Sequence, residues 1–200
     1  MTTTKRDKTA VIVIHEIYGV NPHIEHFSES ISKYDFDVIC PDLLDVKIPF
    51  SYSQEELAYQ NFMENVGFIN ASNKMKSLVT DVKKNYEKVF VIGFSVGATV
   101  SWLCSDLKGV QGIVAYYGSR IRDYIEVTPQ CPALLFFPKE EKSFNVDELV
   151  SNLDYRNVEL HTFNGQHGFA DPYSPNYNKG SSEMAFQEMV SFLLKHSSMK

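Results

Sequence analysis

The sequence predicts an α/β fold with a mostly parallel central sheet and helices on both faces, and three observations indicate it. Short runs of apolar and β-branched residues alternate with longer segments whose apolar residues recur at helical intervals. Such alternation is typical of parallel sheets, because their strands are joined through helices. The runs are also almost continuously apolar, as strands covered on both faces require. No repeat or linker interrupts residues 1–200, so we expect a single domain without a large cap.

Each element has its own signal along the chain. The apolar run at 10–15 predicts the first strand, and Asn21 with Pro22 predicts a helix start, since Asn caps helices and Pro fits their first turn. Apolar residues at helical spacing predict two helices within 53–86, broken near 67–73. The other predicted strands are 37–40, 88–92, 111–117, 133–137 and 158–163, and the other predicted helices are 22–34, 95–107, 145–153 and 181–196.

Composition excludes several classes of protein. A hydrophobic fraction of 44% and a charged fraction of 22% exclude a disordered, collagen-like or coiled-coil chain. The net charge of −6 argues against a nucleic-acid partner, which needs clustered positive charge. The three cysteines are far apart, which favours free thiols in a reducing compartment. The N-terminal apolar run is too short for a signal peptide or a membrane span, so we expect a cytoplasmic protein without a membrane partner.

A G-x-S-x-G motif at Gly93, Ser95 and Gly97 lies between a predicted strand and a predicted helix. In this context the motif forms a sharp turn that exposes the serine at the edge of the sheet. The glycines remove the Cβ atoms that would collide with the crossing strand and helix. The N–H of Val96 then points at the site from a helix N-terminus, where negative charge is favoured. The motif predicts Ser95 as a nucleophile; the alternative is a glycine-flanked serine in an ordinary turn.

A histidine in a glycine-rich loop is the candidate general base. His167 follows a predicted strand, and Gly165 and Gly168 allow a tight loop that presents its ring. Imidazole suits this role because its pKa lies near neutrality. A carboxylate at Glu140 or Glu141, after the preceding strand, could orient the imidazole. The chain order serine, acid, histidine is that of an α/β-hydrolase.

The remaining histidines do not predict a metal site. His23, His26 and His196 lie on polar helix faces and are expected to be solvated. The pair His23-x-x-His26 has no third or fourth ligand nearby in sequence, so a zinc site is not predicted. We therefore expect neither a metal ion nor an organic cofactor.

Five blocks of sequence, in order and with characteristic spacing, together resemble one family. The chain is similar to the dienelactone hydrolase family of α/β-hydrolases along nearly its whole length, which implies the α/β-hydrolase fold. The blocks are residues 13–21, 38–43, 93–98, 116–118 and 165–169.

The resemblance implies roles for several residues. The family's nucleophile is normally a cysteine, where this chain has Ser95, and its acid is normally an aspartate, where the family's spacing leads to Glu141. Glu16 matches the family's acidic residue beside the nucleophile, and with a serine it could instead bond Ser95 or shape the loop. The N–H of Ile17 would join that of Val96 as an oxyanion donor.

The resemblance also bears on the substrate. Members that cleave dienelactone hold its carboxylate with two arginines, but here Asp171 occupies one position and no arginine lies between Arg6 and Arg120. We therefore expect a neutral ester rather than dienelactone. Aromatic residues near the site suggest an apolar pocket, with core packing as the alternative, and Tyr116 and Phe169 are the predicted substrate contacts. The other candidate aromatics are Phe50, Tyr52, Tyr59, Phe62, Tyr173 and Tyr177.

The sequence thus predicts a serine-dependent hydrolase of a small carboxylic ester or lactone, acting through an acyl-enzyme on Ser95. One alternative is a hydrolase of amides or other acyl conjugates. The other is a non-catalytic protein that binds a small ligand on the same scaffold. We expect a monomer or a weak homodimer.

Overall fold

A single parallel sheet organises the protein. The computed structural model describes residues 6–142, 144–153 and 156–198. Six strands pair in parallel in the order β2-β1-β3-β4-β5-β6, which confirms the predicted fold class. The strands are β1 (Arg6–Ile14), β2 (Asp37–Ile39), β3 (Tyr86–Phe94), β4 (Gly112–Tyr116), β5 (Ala133–Glu140) and β6 (Val158–Gln166). The strand order reverses beside β1 and β3, where open α/β sheets bind their ligands.

Helices connect the strands, and their starts follow the predicted capping chemistry. The side chain of Asn21 accepts a hydrogen bond from the N–H of Ile24, with Pro22 in the first turn. Asn145 and Asn178 cap two later helices in the same way. The helices are α1 (Pro22–Ser32), α2 (Glu55–Asn61), α3 (Phe68–Val82), α4 (Val96–Leu103), α5 (Val146–Asn152) and α6 (Lys179–Ser197).

The alternation of side chains along the strands builds one hydrophobic core on each face of the sheet. On β1, Ile12 and Ile14 face the core that α2 to α5 cover, whereas Val11 and Val13 face the core beneath α1 and α6. All four side chains are fully buried. The buried stretches of the central strands, such as residues 10–14 of β1 and 89–92 of β3, are therefore apolar at every position and show no alternation.

The break between α2 and α3 is shorter than the sequence predicted. A π-helical turn at Phe62–Val66 extends α2, and only Gly67, with φ of 69°, separates it from α3. Residues 68–73, predicted to lie in the break, are helical because Phe68 and Ala71 continue the buried face of α3. A short 3₁₀ turn at Ser119–Asp123 after β4 was not predicted.

The three cysteines are free, in agreement with their spacing in the sequence. Cys104 and Cys131 are buried, and Cys40 is half-buried. Within the described residues, no helix combines the length and the apolar character needed to cross a membrane.

Candidate active site

Ser95 lies in a sharp turn between β3 and α4. Its φ of 52° and ψ of −111° form a backbone conformation that residues with a side chain rarely adopt. A Cβ on Gly93 would lie 2.0 Å from the carbonyl oxygen of Gly97, and one on Gly97 would lie 2.5 Å from that of His15. The two glycines therefore let strand, turn and helix pack in direct contact, and the turn presents Ser95 at the carboxyl edge of the sheet.

The parallel register of β5 and β6 brings an acid and a histidine together. Glu140 pairs with Gln166 at the carboxyl ends of these neighbouring strands. The next residues, Glu141 and His167, leave the sheet side by side. Glu140 and Gln166 are 26 residues apart in the chain, as are Glu141 and His167, and the strand register brings both pairs into contact.

Ser95, His167 and Glu141 form a continuous hydrogen-bonded line. Ser95 Oγ lies 2.9 Å from His167 Nε2, and His167 Nδ1 lies 3.0 Å from Glu141 Oε2. The Glu141 side chain is only 7% exposed, whereas that of His167 is 34% exposed. The second oxygen of Glu141 accepts the N–H of Lys142, which fixes the carboxylate. The arrangement can move a proton from the serine hydroxyl onto an imidazole whose charge a buried carboxylate stabilises.

The structure distinguishes the two glutamates that the sequence left open. Glu140 is the last residue of β5, and its side chain contacts Gln166 rather than His167. Glu140 is exposed, and one of its oxygens accepts a long hydrogen bond of 3.4 Å from Gln166. Glu141, as the family's spacing implied, is the glutamate that contacts the imidazole.

The residues expected to donate to an oxyanion line the same cleft as Ser95. Val96 is the first residue of α4, so its N–H has no acceptor within the helix. Ile17 follows β1 in the loop that packs against the start of α4, because Gly97 contacts the carbonyl of Ile14. Val96 and Ile17 both line the cleft.

A buried histidine holds that loop in shape. The N–H of Leu43 donates to His15 Nε2 at 2.9 Å, so the ring proton is on Nδ1, which donates to the carbonyl oxygen of Glu16 at 2.6 Å. Burial lowers the pKa of His15 and keeps the ring neutral. His15 thereby ties the end of β1 to the loop after β2 and positions Glu16.

Glu16 lies at the floor of the cleft and is only 5% exposed. Burial, and secondarily the nearby Asp171 carboxylate, raises the pKa of Glu16 to about 7. His167 and the hydroxyl of Tyr117 act in the opposite direction on that pKa. Glu16 is therefore close enough to His167 to influence it electrostatically.

Tyr117, rather than Tyr116, lies at the site. Its ring packs 4.9 Å from that of His167, centre to centre. Tyr116, the last residue of β4, is buried, stacks on Phe94 and donates to the carbonyl of Ala185, whereas Tyr117 lies beyond the strand with φ of 45°. Phe169 is also fully buried in the core. Tyr116 and Phe169 do not line the cleft, which corrects their expected role as substrate contacts.

The cleft above Ser95 has a volume of about 810 Å³ and a strongly charged lining. Tyr52 and Tyr59, from the segment that leads into and forms α2, contribute to one wall, as does Tyr18. Of the eight candidate aromatics, only Tyr52 and Tyr59 line the cleft. Its acidic residues are Glu16, Glu55, Glu56, Glu140, Glu141 and Asp171, and its basic residues are Arg120, Arg122 and Lys142.

The two arginines in the cleft wall were not predicted, because they lie outside the family's arginine positions. They follow the carboxyl end of β4, and attention to every strand end would have found them. Arg120 Nε forms an ion pair with Asp123 at 2.6 Å, and Arg122 donates to the carbonyl of Ser119 and stacks over Phe144. Both guanidinium groups are therefore already engaged by the protein.

His23 and His196, expected to be solvated, are both buried. His23 lies on the inner side of α1, where its ring packs against Phe94 and approaches Asp171, with Nδ1 3.8 Å from Oδ2. Burial lowers the pKa of His23 to about 4 despite that carboxylate. His26 is exposed, as expected. The residues around His23 are mostly polar, so the sequence indicated an exposed position. Its ring faces inward because it packs against residues that are distant in sequence.

Comparison with known proteins identifies the family. The sequence profile of the dienelactone hydrolase family matches residues 1–197. The chain belongs to the dienelactone hydrolase family. This membership makes it a hydrolase and confirms the resemblance inferred from the five sequence blocks.

Two curated relatives of this dienelactone hydrolase family member cover most of its length. It is 39% identical over 175 residues to the uncharacterised protein YczH of Bacillus subtilis, an alignment that covers 86% of each chain. It is 22% identical over 190 residues to carboxymethylenebutenolidase 1 of Cupriavidus pinatubonensis, covering 88% of this chain and 81% of the relative.

Solved structures support the same fold. A Klebsiella pneumoniae protein, provisionally assigned as a dienelactone hydrolase, has a TM-score of 0.78 at 16% identity, covering 93% of this chain and 86% of that one. A dienelactone hydrolase-like promiscuous phosphotriesterase from metagenomic libraries has a TM-score of 0.73 at 15% identity, covering 94% and 86%. At these identities, both structures show only that this family member shares their fold.

Proposed function

We propose that the protein hydrolyses small carboxylic esters through an acyl-enzyme formed on Ser95. The observation that carries the proposal is the hydrogen-bonded line from Ser95 Oγ through His167 to Glu141, which opens into the cleft. Family membership supports hydrolysis, and the nucleophile and the ester specificity are inferred from the geometry.

Acylation begins with transfer of the serine proton. His167 Nε2 accepts the proton of Ser95 as Oγ attacks the ester carbonyl carbon. Glu141 accepts the hydrogen bond from Nδ1 and stabilises the imidazolium. The N–H groups of Val96 and Ile17 receive the negative charge on the former carbonyl oxygen. One such donor typically changes the rate about 10²–10³-fold.

Collapse of this tetrahedral intermediate completes acylation: the C–O bond to the alcohol breaks, and His167 gives its proton to the leaving alkoxide. Deacylation repeats the sequence with water as the nucleophile. A water molecule then attacks the acyl group on Ser95 while His167 takes its proton. The second intermediate releases the carboxylic acid, and the proton passes back to Ser95. The cycle uses these side chains, the two backbone N–H groups and water.

The charges of the cleft favour an uncharged substrate. Glu16 and Asp171 at the floor repel a carboxylate near Ser95. Arg120 is neutralised by Asp123, so it offers little compensation to an anion. A small neutral ester therefore fits the site better than the anionic lactone that gives the family its name.

Steady-state hydrolysis of 4-nitrophenyl acetate tests the proposal. We expect measurable turnover by the wild type and a loss of about 10³-fold or more in kcat/KM for both Ser95→Ala and His167→Ala. Ser119→Ala, which removes another hydroxyl from the cleft lining, serves as the matched control and should retain activity. A folded wild type without turnover would instead favour the non-catalytic ligand-binding alternative.

A further inference from the structure

Three buried side chains from distant parts of the chain meet at the floor of the cleft. Glu16 follows β1, His23 lies on α1, and Asp171 follows β6. They are 5%, 2% and 1% exposed. Each offers one nitrogen or oxygen atom, and these three atoms all lie within 4.8 Å of one another. A set of one imidazole nitrogen and two carboxylate oxygens is a chemically plausible set of metal ligands.

His23 is the observation that points to a missing ligand. Neither of its ring nitrogens has a hydrogen-bond partner, although the ring is almost completely buried. Buried polar groups are ordinarily satisfied, because an unpaired one costs free energy. The distance of 3.8 Å from Nδ1 to Asp171 Oδ2 is too long for a hydrogen bond. It is close to the separation of two ligands that each lie about 2.1 Å from a shared ion.

The charges at this cluster also call for a cation. Among the described residues, no lysine or arginine forms an ion pair with Glu16 or Asp171, so two buried carboxyl groups lie close together without a compensating charge.

A supporting set of hydrogen bonds holds Asp171 in place. Tyr52 donates to Asp171 Oδ2 at 2.5 Å, and Asn21 donates to the Tyr52 hydroxyl at 3.1 Å. The N–H of Tyr173 donates to the other oxygen of Asp171 at 2.8 Å. Such partners orient a ligating carboxylate.

We propose that Glu16, His23 and Asp171 bind one divalent transition-metal ion of the zinc class. The nitrogen ligand favours Zn²⁺ over Mg²⁺ and Ca²⁺, which prefer oxygen ligands alone. Glu16 and Asp171 line the cleft, so the ion can enter from there. His23 Nε2 lacks a partner that would fix the ring, so the affinity is lower than that of a closed four-ligand structural site. Its three ligands are distinct from Ser95, His167 and Glu141, so the metal proposal does not rest on the proposed ester hydrolysis.

Isothermal titration of the EDTA-treated, dialysed protein with ZnCl₂ tests the proposal. We expect one ion per chain, with binding weakened about 10-fold or more by His23→Gln and by Asp171→Asn. His26→Gln is the matched control, because His26 lies one turn further along the same helix and is exposed, and it should leave the affinity unchanged. MgCl₂ should bind at least 10-fold more weakly than ZnCl₂.

Two results would overturn the metal site: no binding of Zn²⁺ by the wild type, or binding that His23→Gln and Asp171→Asn leave intact. If either variant fails to fold, crystals of the wild type soaked in ZnCl₂ still decide the matter. An anomalous difference peak at the zinc edge should lie between the three side chains. A peak only at surface histidines such as His26 or His161 would contradict the proposal.

Discussion

Two groups of polar side chains share the floor of the cleft, and the fold satisfies only one of them. In the Ser95–His167–Glu141 line both links are 2.9–3.0 Å long. In the Glu16–His23–Asp171 cluster the histidine has no hydrogen-bond partner and lies 3.8 Å from the aspartate. The satisfied line is nevertheless the less buried of the two, with His167 34% exposed.

The two groups show that a buried residue with a shifted pKa need not belong to the groups that transfer protons. Deep burial and a raised pKa mark Glu16, yet the groups aligned for proton transfer are those with complete hydrogen bonds and access to the cleft. A completed network is preorganised and needs only substrate. An incomplete buried cluster costs free energy until a ligand completes it.

The largest expected effect is a difference in kcat between variants of Glu141 and of its neighbour Glu140. Glu141→Gln should lower kcat for a neutral ester by as much as about 10⁴-fold, because the amide no longer stabilises the imidazolium. Glu140→Gln, the matched control, should change kcat less than about 3-fold, since Glu140 is exposed and lies off the line. Comparable losses in both variants would remove Glu141 from its assigned role.

The next largest effect is expected on stability, at the close contact between the start of α4 and the end of β1. Gly97 packs against the carbonyls of Ile14 and His15, so Gly97→Ala should lower the free energy of unfolding by about 3 kcal/mol or more. Gly180→Ala at the start of α6 is the control, because its new Cβ meets only ordinary contacts. Urea denaturation measures both, and equal stability of the two variants would contradict the packing described for the turn.

A smaller loss of stability is expected when a hydrogen bond to the Glu16–His23–Asp171 cluster is removed. Tyr52→Phe removes the hydroxyl that donates to Asp171 and should cost about 1–3 kcal/mol of stability, because a buried carboxylate loses a partner. Hydrolysis of a neutral ester should change only slightly. Tyr59→Phe, on the exposed wall of the same cleft, should leave stability unchanged in parallel thermal denaturation. If Tyr52→Phe is as stable as the wild type, the hydrogen bond does not hold the cluster.

The smallest effect on activity is expected from alkylation of the cysteines. The family's usual nucleophile is a cysteine, but this chain has Ser95 at that position. Burial raises the pKa of Cys104 and of Cys131 to about 12, so almost no thiolate is present near neutral pH. Iodoacetamide at pH 8 should therefore leave esterase activity unchanged. Activity lost in proportion to alkylation of the native protein would assign a thiol to the chemistry.

The sequence predicted the parallel sheet and the three members of the line, and it did so for definite reasons. Buried strands are apolar throughout, and G-x-S-x-G constrains its own backbone, so β3, Ser95 and α4 are locally encoded. His167 directly follows β6, a partly exposed edge strand, and the flanking Gly165 and Gly168 marked its loop in the sequence. The family's spacing implied Glu141, and the register of β5 and β6, which no local pattern contains, shows how this residue comes to contact His167.

The missed features depend on contacts between distant segments. The turn after β4, where Tyr117 has φ of 45°, brings Tyr117 to His167 while Tyr116 stacks on Phe94, and the sequence Tyr-Tyr alone does not show which is which. His23 faces inward because Phe94 and Asp171 lie beneath α1. The proposed ligand set spans residues 16 to 171, so no spacing rule could reveal it.

Reaction with a fluorophosphonate, followed by intact mass measurement and peptide mapping, shows directly whether Ser95 is the nucleophile. We expect a single adduct on Ser95 in the wild type, no adduct in Ser95→Ala and a steep fall in labelling in His167→Ala. A fluorophosphonate adduct formed to the same extent in a folded Ser95→Ala variant would contradict that assignment, as would a folded wild type in which Ser95 stays unmodified.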